Sequence, residues 1–279
     1  MKKYRLLGII SLLLAVFFVT SCNKSGELRF DNISLEDKVY LFLDNDTTKP
    51  FANVTIDYTY PDRFSNKEDL ARLQEIFNGT FFNSQAFGPL SPNEALDRYL
   101  EEYTNEYREL GNDYYEEMGK LEGDNQPAWY WYQLHKSNEV LYHDNSILSY
   151  SVNHETYTGG AHGSLQVLYY TINLSNLTTI TEEDIFKPNY HNTLTDKIID
   201  NLMKKYEVNT PEELLNQGFF DITEIAPNNN FWINNEGIHY IYNQYEIAPY
   251  SMGPIEVTIP YKDVQSIIMP DKIAGQYLK

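Results

Sequence analysis

The chain has 279 residues, with 40 Asp plus Glu against 21 Lys plus Arg and a formal net charge of −19. A balance that acidic repels nucleic acid and anionic lipid headgroups and favours a basic partner, whose association slows as salt rises. One cysteine in the whole chain excludes an internal disulfide.

The N-terminus reads as an export signal. Lys2, Lys3 and Arg5 precede an apolar run from Leu6 to Val19, shorter than the roughly 20 residues a membrane-spanning helix needs. Val19-Thr20-Ser21-Cys22 closes that run and resembles the lipobox of bacterial lipoproteins. On that resemblance residues 1–21 are removed and Cys22 becomes the acylated first residue. The mature chain then has 258 residues (279 less 21), and losing three cations takes the charge to −22. Asn23, rather than Asp, implies outer-membrane sorting in a Gram-negative host. The expected location is the cell envelope, with a membrane anchor through lipid on Cys22.

Residues 22–37 lack apolar periodicity and read as a lipid-anchored tether. Strands are predicted at 38–43 and 52–61. In the second, Val54, Ile56, Tyr58 and Tyr60 alternate with Asn53, Thr55, Asp57 and Thr59, and Pro61 with Asp62 ends the run. A helix follows over 66–79, with Asn66 as N-cap and Leu70, Leu73, Ile76 and Phe77 on one face. A longer helix starts at Ser91, where Pro92 and Glu94 complete a capping box. Its stripe is Leu96, Tyr99, Leu100, Tyr103, Tyr107 and Leu110, and its Glu-rich side is a solvated face. Residues 38–125 read as an N-terminal α+β module.

Residues 126–279 read as a second module. Strands are predicted at 128–143, 147–158 and 162–174, with a tight turn at Asp144-Asn145. A turn capped by Thr181 spans 181–186, and helices span 189–206 and 210–218. Strands at 229–234, 237–243 and 255–260 precede a closing helical turn at 261–268. The expected fold is α+β: an antiparallel meander sheet with helices packed mainly on one face, in two sub-modules. The 24 tyrosines suit half-exposed sheets and recognition surfaces alike.

The segment "YTGGAHGS", Tyr157 to Ser164, breaks the strand pattern. Its glycines permit left-handed φ and close approach, and exposed amides there could hold an anion or a sugar hydroxyl. Equally, they turn a wide hairpin whose shape His162 fixes by bonding the backbone. A metal site would recruit His154, Glu155 and His162, but strand alternation puts His154 and Glu155 on opposite faces. No H-E-x-x-H or C-x-x-C pattern is present, so no metal and no cofactor is expected. A hydrolase would need Ser164 with His162, which lacks a G-x-S-x-G elbow, or paired carboxylates such as Glu155 with Glu246. In "NQYEIAPYSMG" (243–253), Tyr245, Glu246 and Tyr250 line a polar-aromatic groove, or Glu246 accepts backbone amides and stiffens the corner.

Several stretches together carry a resemblance. These are "YTGGAHGSLQVLYYTINL" (157–174), "LTTITEEDIF" (177–186) and "FWINNEGIHYIYNQYEIAPYSMGPIEVTIPYKDV" (231–264). They resemble the extracellular domain shared by the lysozyme-sensing anti-sigma factor of Gram-positive bacteria and a peptidoglycan deacetylase, a family of unknown function also found in envelope lipoproteins. "ANVTIDYTYPDRF" and the following helix are similar to its smaller N-terminal, deacetylase-accessory module. Neither the anti-sigma segment nor the deacetylase catalytic domain is matched. The resemblance implies a non-enzymatic, lipid-anchored envelope protein that binds a basic, lysozyme-like protein or cell-wall glycan. The binding residues expected are Tyr157, Thr158, Gly159, Gly160, His162, Tyr245, Glu246 and Tyr250. The alternative is an envelope hydrolase acting on peptidoglycan or another polysaccharide.

Overall fold

A computed structural model describes residues 27–44, 46–121 and 127–278; the expected export signal, the lipobox-like stretch and Cys22 lie outside them. Six strands form the main sheet in the order β1-β2-β3-β4-β5-β6. β1 (Arg29–Tyr40) pairs antiparallel with β2 (Phe51–Arg63), from Arg29↔Arg63 to Tyr40↔Phe51. Residues 29–37 are therefore strand and not tether. Their sequence hides it because β1 is an edge strand, half-buried only at Phe30, Ile33 and Leu35 over that stretch. β2 also runs on through Pro61, which sits opposite Phe30 beside a register shift.

β3 (Tyr132–His143) joins β2 in parallel, from Ala52↔Tyr132 to Asp57↔Ser137. A parallel pair needs a long crossover, and residues 64–131 supply it. They contain α1 (Lys67–Phe81), α2 (Pro92–Glu109) and α3 (Gly111–Met118). The sheet is α+β and mostly antiparallel, but it is not a pure meander. The break at 125/126 expected between modules falls inside this crossover, so β2 and β3 belong to one sheet across it. β4 (Ile147–Tyr157), β5 (Ser164–Asn173) and the two-residue β6 (Thr178–Thr179) complete the sheet antiparallel.

The helix starts follow their sequence signals. Asn66 Oδ1 accepts from the amides of Glu68 (2.9 Å) and Asp69 (3.0 Å), satisfying donors that a helix N-terminus leaves free. Ser91 Oγ accepts from Glu94 N while the Glu94 carboxylate accepts from Ser91 N. The single long helix expected after Ser91 is two, parted at Leu110. Gly111 lies there against Phe42, whose ring carbon would stand 3.1 Å from an added Cβ.

Tyrosine contributes more to the core than to the surface. Tyr58 stacks on Phe81 at 4.3 Å and donates to Asn78 Oδ1 at 2.6 Å. Tyr150 stacks on Phe77 at 4.3 Å, and its hydroxyl pairs with Thr80 Oγ1 at 2.8 Å. Each buried ring thus has a polar partner for its hydroxyl, which buried phenols require. Asn78, itself fully buried, also donates to Leu90 O at 2.7 Å and so ties α1 to the loop before α2.

The other face of β4 and β5 is covered by a second, three-stranded antiparallel sheet. It comprises β7 (Phe231–Ile233), β8 (Gly237–Tyr242) and β9 (Ile255–Pro260). α4 (His191–Lys205) packs on β9, with α5 (Glu213–Asn216) and α6 (Tyr261–Val264) nearby in sequence. Two hydrophobic cores result, one on each side of the main sheet, and β4 feeds both. Ile147 enters the small-sheet core, while Leu148, Tyr150 and Val152 enter the helix core. Buried Glu182 ties the second core together. It accepts from Asn229 N (2.9 Å), Tyr240 OH (3.1 Å) and Tyr190 OH (2.8 Å), as a buried carboxylate must.

Candidate functional site

The glycine-rich hairpin joins β4 to β5. Gly159 and Gly160 adopt φ of +84° and +98°, values that side chains disfavour. A Cβ on Gly159 would lie 2.4 Å from Trp129 O, so the loop rests directly on the backbone before β3. Tyr157 OH donates to Gly160 O at 2.9 Å, and His162 Nδ1 lies 3.0 Å from Gly163 O. The turn is shaped from within, as one reading of the sequence expects.

What brings the 243–253 loop to it is a row of side-chain amides. β6 covers only Ile172 and Asn173 of β5, which leaves the main chain from Leu165 to Tyr169 without a strand on that side. Gln244 Oε1 accepts from Leu165 N (3.0 Å), Asn243 Oδ1 from Val167 N (2.7 Å) and Asn230 Oδ1 from Tyr169 N (2.8 Å). The Asn243 and Asn230 amides donate back to Val167 O at 3.0 and 2.9 Å. Carboxamides thus stand in for a missing strand and satisfy the edge. Held there, the chain turns tightly, with Tyr245 at φ +68° and its amide on Ala248 O.

The two loops meet. The Tyr250 ring stacks on His162 at 3.9 Å and 22°, and Tyr245 OH lies 3.4 Å from His162 Nε2. Tyr245 stays 58% exposed and Trp129 45% exposed. Beside the stack lies an open depression of about 550 Å³, lined by Gln133, His135, Glu155, Tyr157, Gln244 and Tyr250 among others. His135 stands in a row with two carboxylates, 3.7 Å from Asp57 and 3.9 Å from Glu155, all about half-exposed.

Of the expected binding residues, Tyr157, His162, Tyr245 and Tyr250 come together here. Gly159 and Gly160 set the turn, and Thr158 is exposed beside them without lining the depression. Glu246 turns elsewhere, accepting side-chain amides from Asn228 (3.1 Å) and Asn243 (3.4 Å) rather than backbone amides. Glu155 and Glu246 therefore do not form a facing pair in the depression. Both ring nitrogens of His162 are occupied by Gly163 O and Tyr245 OH, not by Ser164. His154 faces the opposite side of the sheet from Glu155, because Lys136↔His154 and His135↔Glu155 are successive pairs. Among the described residues no group of three or more His, Cys, Asp or Glu could hold a metal ion. Sequence reasoning missed Gln133, His135 and Gln244. The first two carry a signal, since they alternate with Leu134 and Lys136 and so share a face with Glu155 and Tyr157.

The molecule is thus an α+β protein in which a crossover-helix module and a small-sheet module share one sheet and converge on a glycine hairpin. A model for a protein of unknown function, DUF3298, matches residues 183–262. A model described as deacetylase PdaC matches residues 48–165, across the module break expected at 125/126. A solved DUF3298-family protein from Bacteroides fragilis NCTC 9343 is 32% identical and superposes with a TM-score of 0.83, covering 91% of this chain and 98% of that one. The chain belongs to the DUF3298 family. A second family structure, from Pseudomonas aeruginosa PAO1, is 15% identical with a TM-score of 0.61 over 87% of this chain and 95% of its own, a likeness of fold. No curated protein matches the chain. The resemblance seen in the sequence, to a domain family of unknown function with a deacetylase-accessory module, holds. Among the described residues, no helix is long and apolar enough to cross a membrane.

Proposed function

We propose that this DUF3298 protein is a lipid-anchored component of the cell envelope that binds cell-wall glycan, without catalysis, at the depression between the glycine hairpin and the 243–253 loop. The observation that carries this reading is the aromatic group of exposed His162 and Tyr245 with half-buried Tyr250 beside a wall of polar side chains. Sugars present apolar ring faces and hydroxyl edges, so aromatic faces next to carboxamide, imidazole and carboxylate groups match both. An open depression also admits a chain that continues past the site on both sides. The likeness of residues 48–165 to a protein described as a deacetylase supports a glycan context.

The test is calorimetric titration of the purified protein with soluble peptidoglycan fragments. Binding is expected, and Tyr250→Ala is expected to weaken it by roughly tenfold or more, the loss of one stacking partner, with the fold unchanged. No binding by wild type, or an unchanged constant in Tyr250→Ala, would refute the reading.

A second reading, a basic protein as ligand, has one specific support: 40 acidic residues against 21 basic. It predicts that a lysozyme binds with an on-rate falling steeply with salt, whereas glycan binding should be nearly insensitive to salt.

A further inference from the structure

Lys136 lies on β3 between Leu134 and Asn138, on the face that α1 and α2 cover, and is 4% exposed. Its ammonium makes no hydrogen bond and no ion pair among the described residues. The groups nearest it are the ring faces of Phe81 and Tyr99, at 5.7 and 5.6 Å. Two such contacts offset part of the loss of water, yet a buried ammonium is ordinarily paired. Among the described residues, no carboxylate forms an ion pair with it.

The neighbours of Lys136 are ordered by sheet register. Lys136 pairs with His154, and His154 pairs with Gln166 on the next strand. Directly opposed side chains stand about 5 Å apart at Cβ, so ammonium, imidazole and carboxamide form one row. Burial and the Lys136 charge push the His154 pKa down to about 4, which leaves it neutral with one N–H to give. Burial lowers the Lys136 pKa to about 8, so the ammonium persists at neutral pH. The row borders a cavity of about 210 Å³ whose opposite wall includes Phe82 and Tyr99, and Gln166 stands exposed at its mouth.

We propose that this cavity is a binding site for a small organic carboxylate, held by Lys136, His154 and Gln166 with its apolar body against Phe82 and Tyr99. Size sets the class: a cavity of about 150 Å³ takes a benzene ring, so this one holds a single ring or short chain bearing a carboxylate. Charge sets it further. The cavity offers one cation inside a molecule of formal charge −19, which disfavours phosphates and other polyanions. The titratable groups facing the cavity are Lys136, His154 and Tyr99. This site lies across the sheet from the hairpin depression and does not depend on the glycan reading.

The experiment titrates the purified protein with benzoate, benzamide and acetate, followed by calorimetry and by amide chemical shifts. Benzoate should bind saturably, shift resonances around Lys136, His154 and Gln166, and bind at least about tenfold tighter than its neutral isostere benzamide, as a charge-assisted contact requires. Acetate, lacking the ring, should bind more weakly than benzoate. Lys136→Met should abolish benzoate binding. Gln166→Glu, at the exposed mouth, should weaken it about tenfold by placing a like charge beside the ligand, and it keeps the test valid if the core variant does not fold. Benzoate binding no tighter than benzamide, shifts confined to other regions, or full affinity in either variant would overturn the proposal.

Discussion

At Gly159 two physical demands coincide: a left-handed φ, and a backbone packed where a side chain would go. Gly160, next to it, has φ +98° but open space around it. Gly160→Ala should therefore lose only the conformational term, about 1–2 kcal/mol. Gly159→Ala should lose more, because its methyl would have to displace Trp129. Urea unfolding of both variants checks this, and equal losses would contradict the packing argument. His154 gives a pH signature. Burial and the nearby Lys136 charge hold its folded pKa at about 4, below the ordinary histidine value of 6.5. The unfolded chain therefore takes up that proton first, and stability is intact above pH 6.5 and falls as pH drops towards 4. Wild type should lose more stability than His154→Gln between pH 7 and pH 5. An identical loss in both would mean the imidazole is not desolvated.

Among the elements, the amide row along β5 matters most for the site, because it sets the 243–253 loop against the hairpin. Asn243 bonds both Val167 N and Val167 O, and removing it strands Val167 N while Val167 O keeps the Asn230 amide. Asn243→Leu should destabilise the protein by about 1–3 kcal/mol, the cost of one unsatisfied amide, and speed hydrogen exchange at Val167 and Leu165 ahead of global unfolding. Unchanged exchange at those amides would show the row to be dispensable. This row also marks the limit of what a sequence discloses. Caps at Asn66, Ser91 and Thr181 are local and were legible, as were the strand alternations of β2 and β4. The glycine hairpin announced itself by composition. By contrast, Asn230, Asn243 and Gln244 look like loop residues until the bare edge of β5 comes beside them. The parallel β2–β3 pair and the strand character of residues 29–37 likewise depend on partners distant along the chain. Lys136 sits in a regular alternation whose inward parity was readable, but its lack of a partner is visible only in three dimensions.

For the whole molecule, the two cores invite description as two domains, yet the main sheet belongs to both. Ser149 on β4 donates to Ile233 O on β7 at 2.7 Å and pairs with Thr171 at 2.9 Å, stitching the small sheet to the large one. Neither core can lose β4 without exposing the other. Thermal unfolding should therefore be one transition, with calorimetric and van't Hoff enthalpies in agreement. Two resolved transitions would mean that the modules are energetically independent.

The carboxamides on β5 also decide how this protein behaves in a crowd. A strand with unpaired donors and acceptors is a template onto which another chain can add, and natural sheets blunt such ends to stay apart. At the β1 end, Asp31, Glu36, Asp37 and Lys38 lie along the strand, so charge guards one flank. At the β5 end the guard is a plug made from the molecule's own side chains. Pulling it out would expose a ready acceptor for a neighbour's strand, and crowded molecules would begin to polymerise.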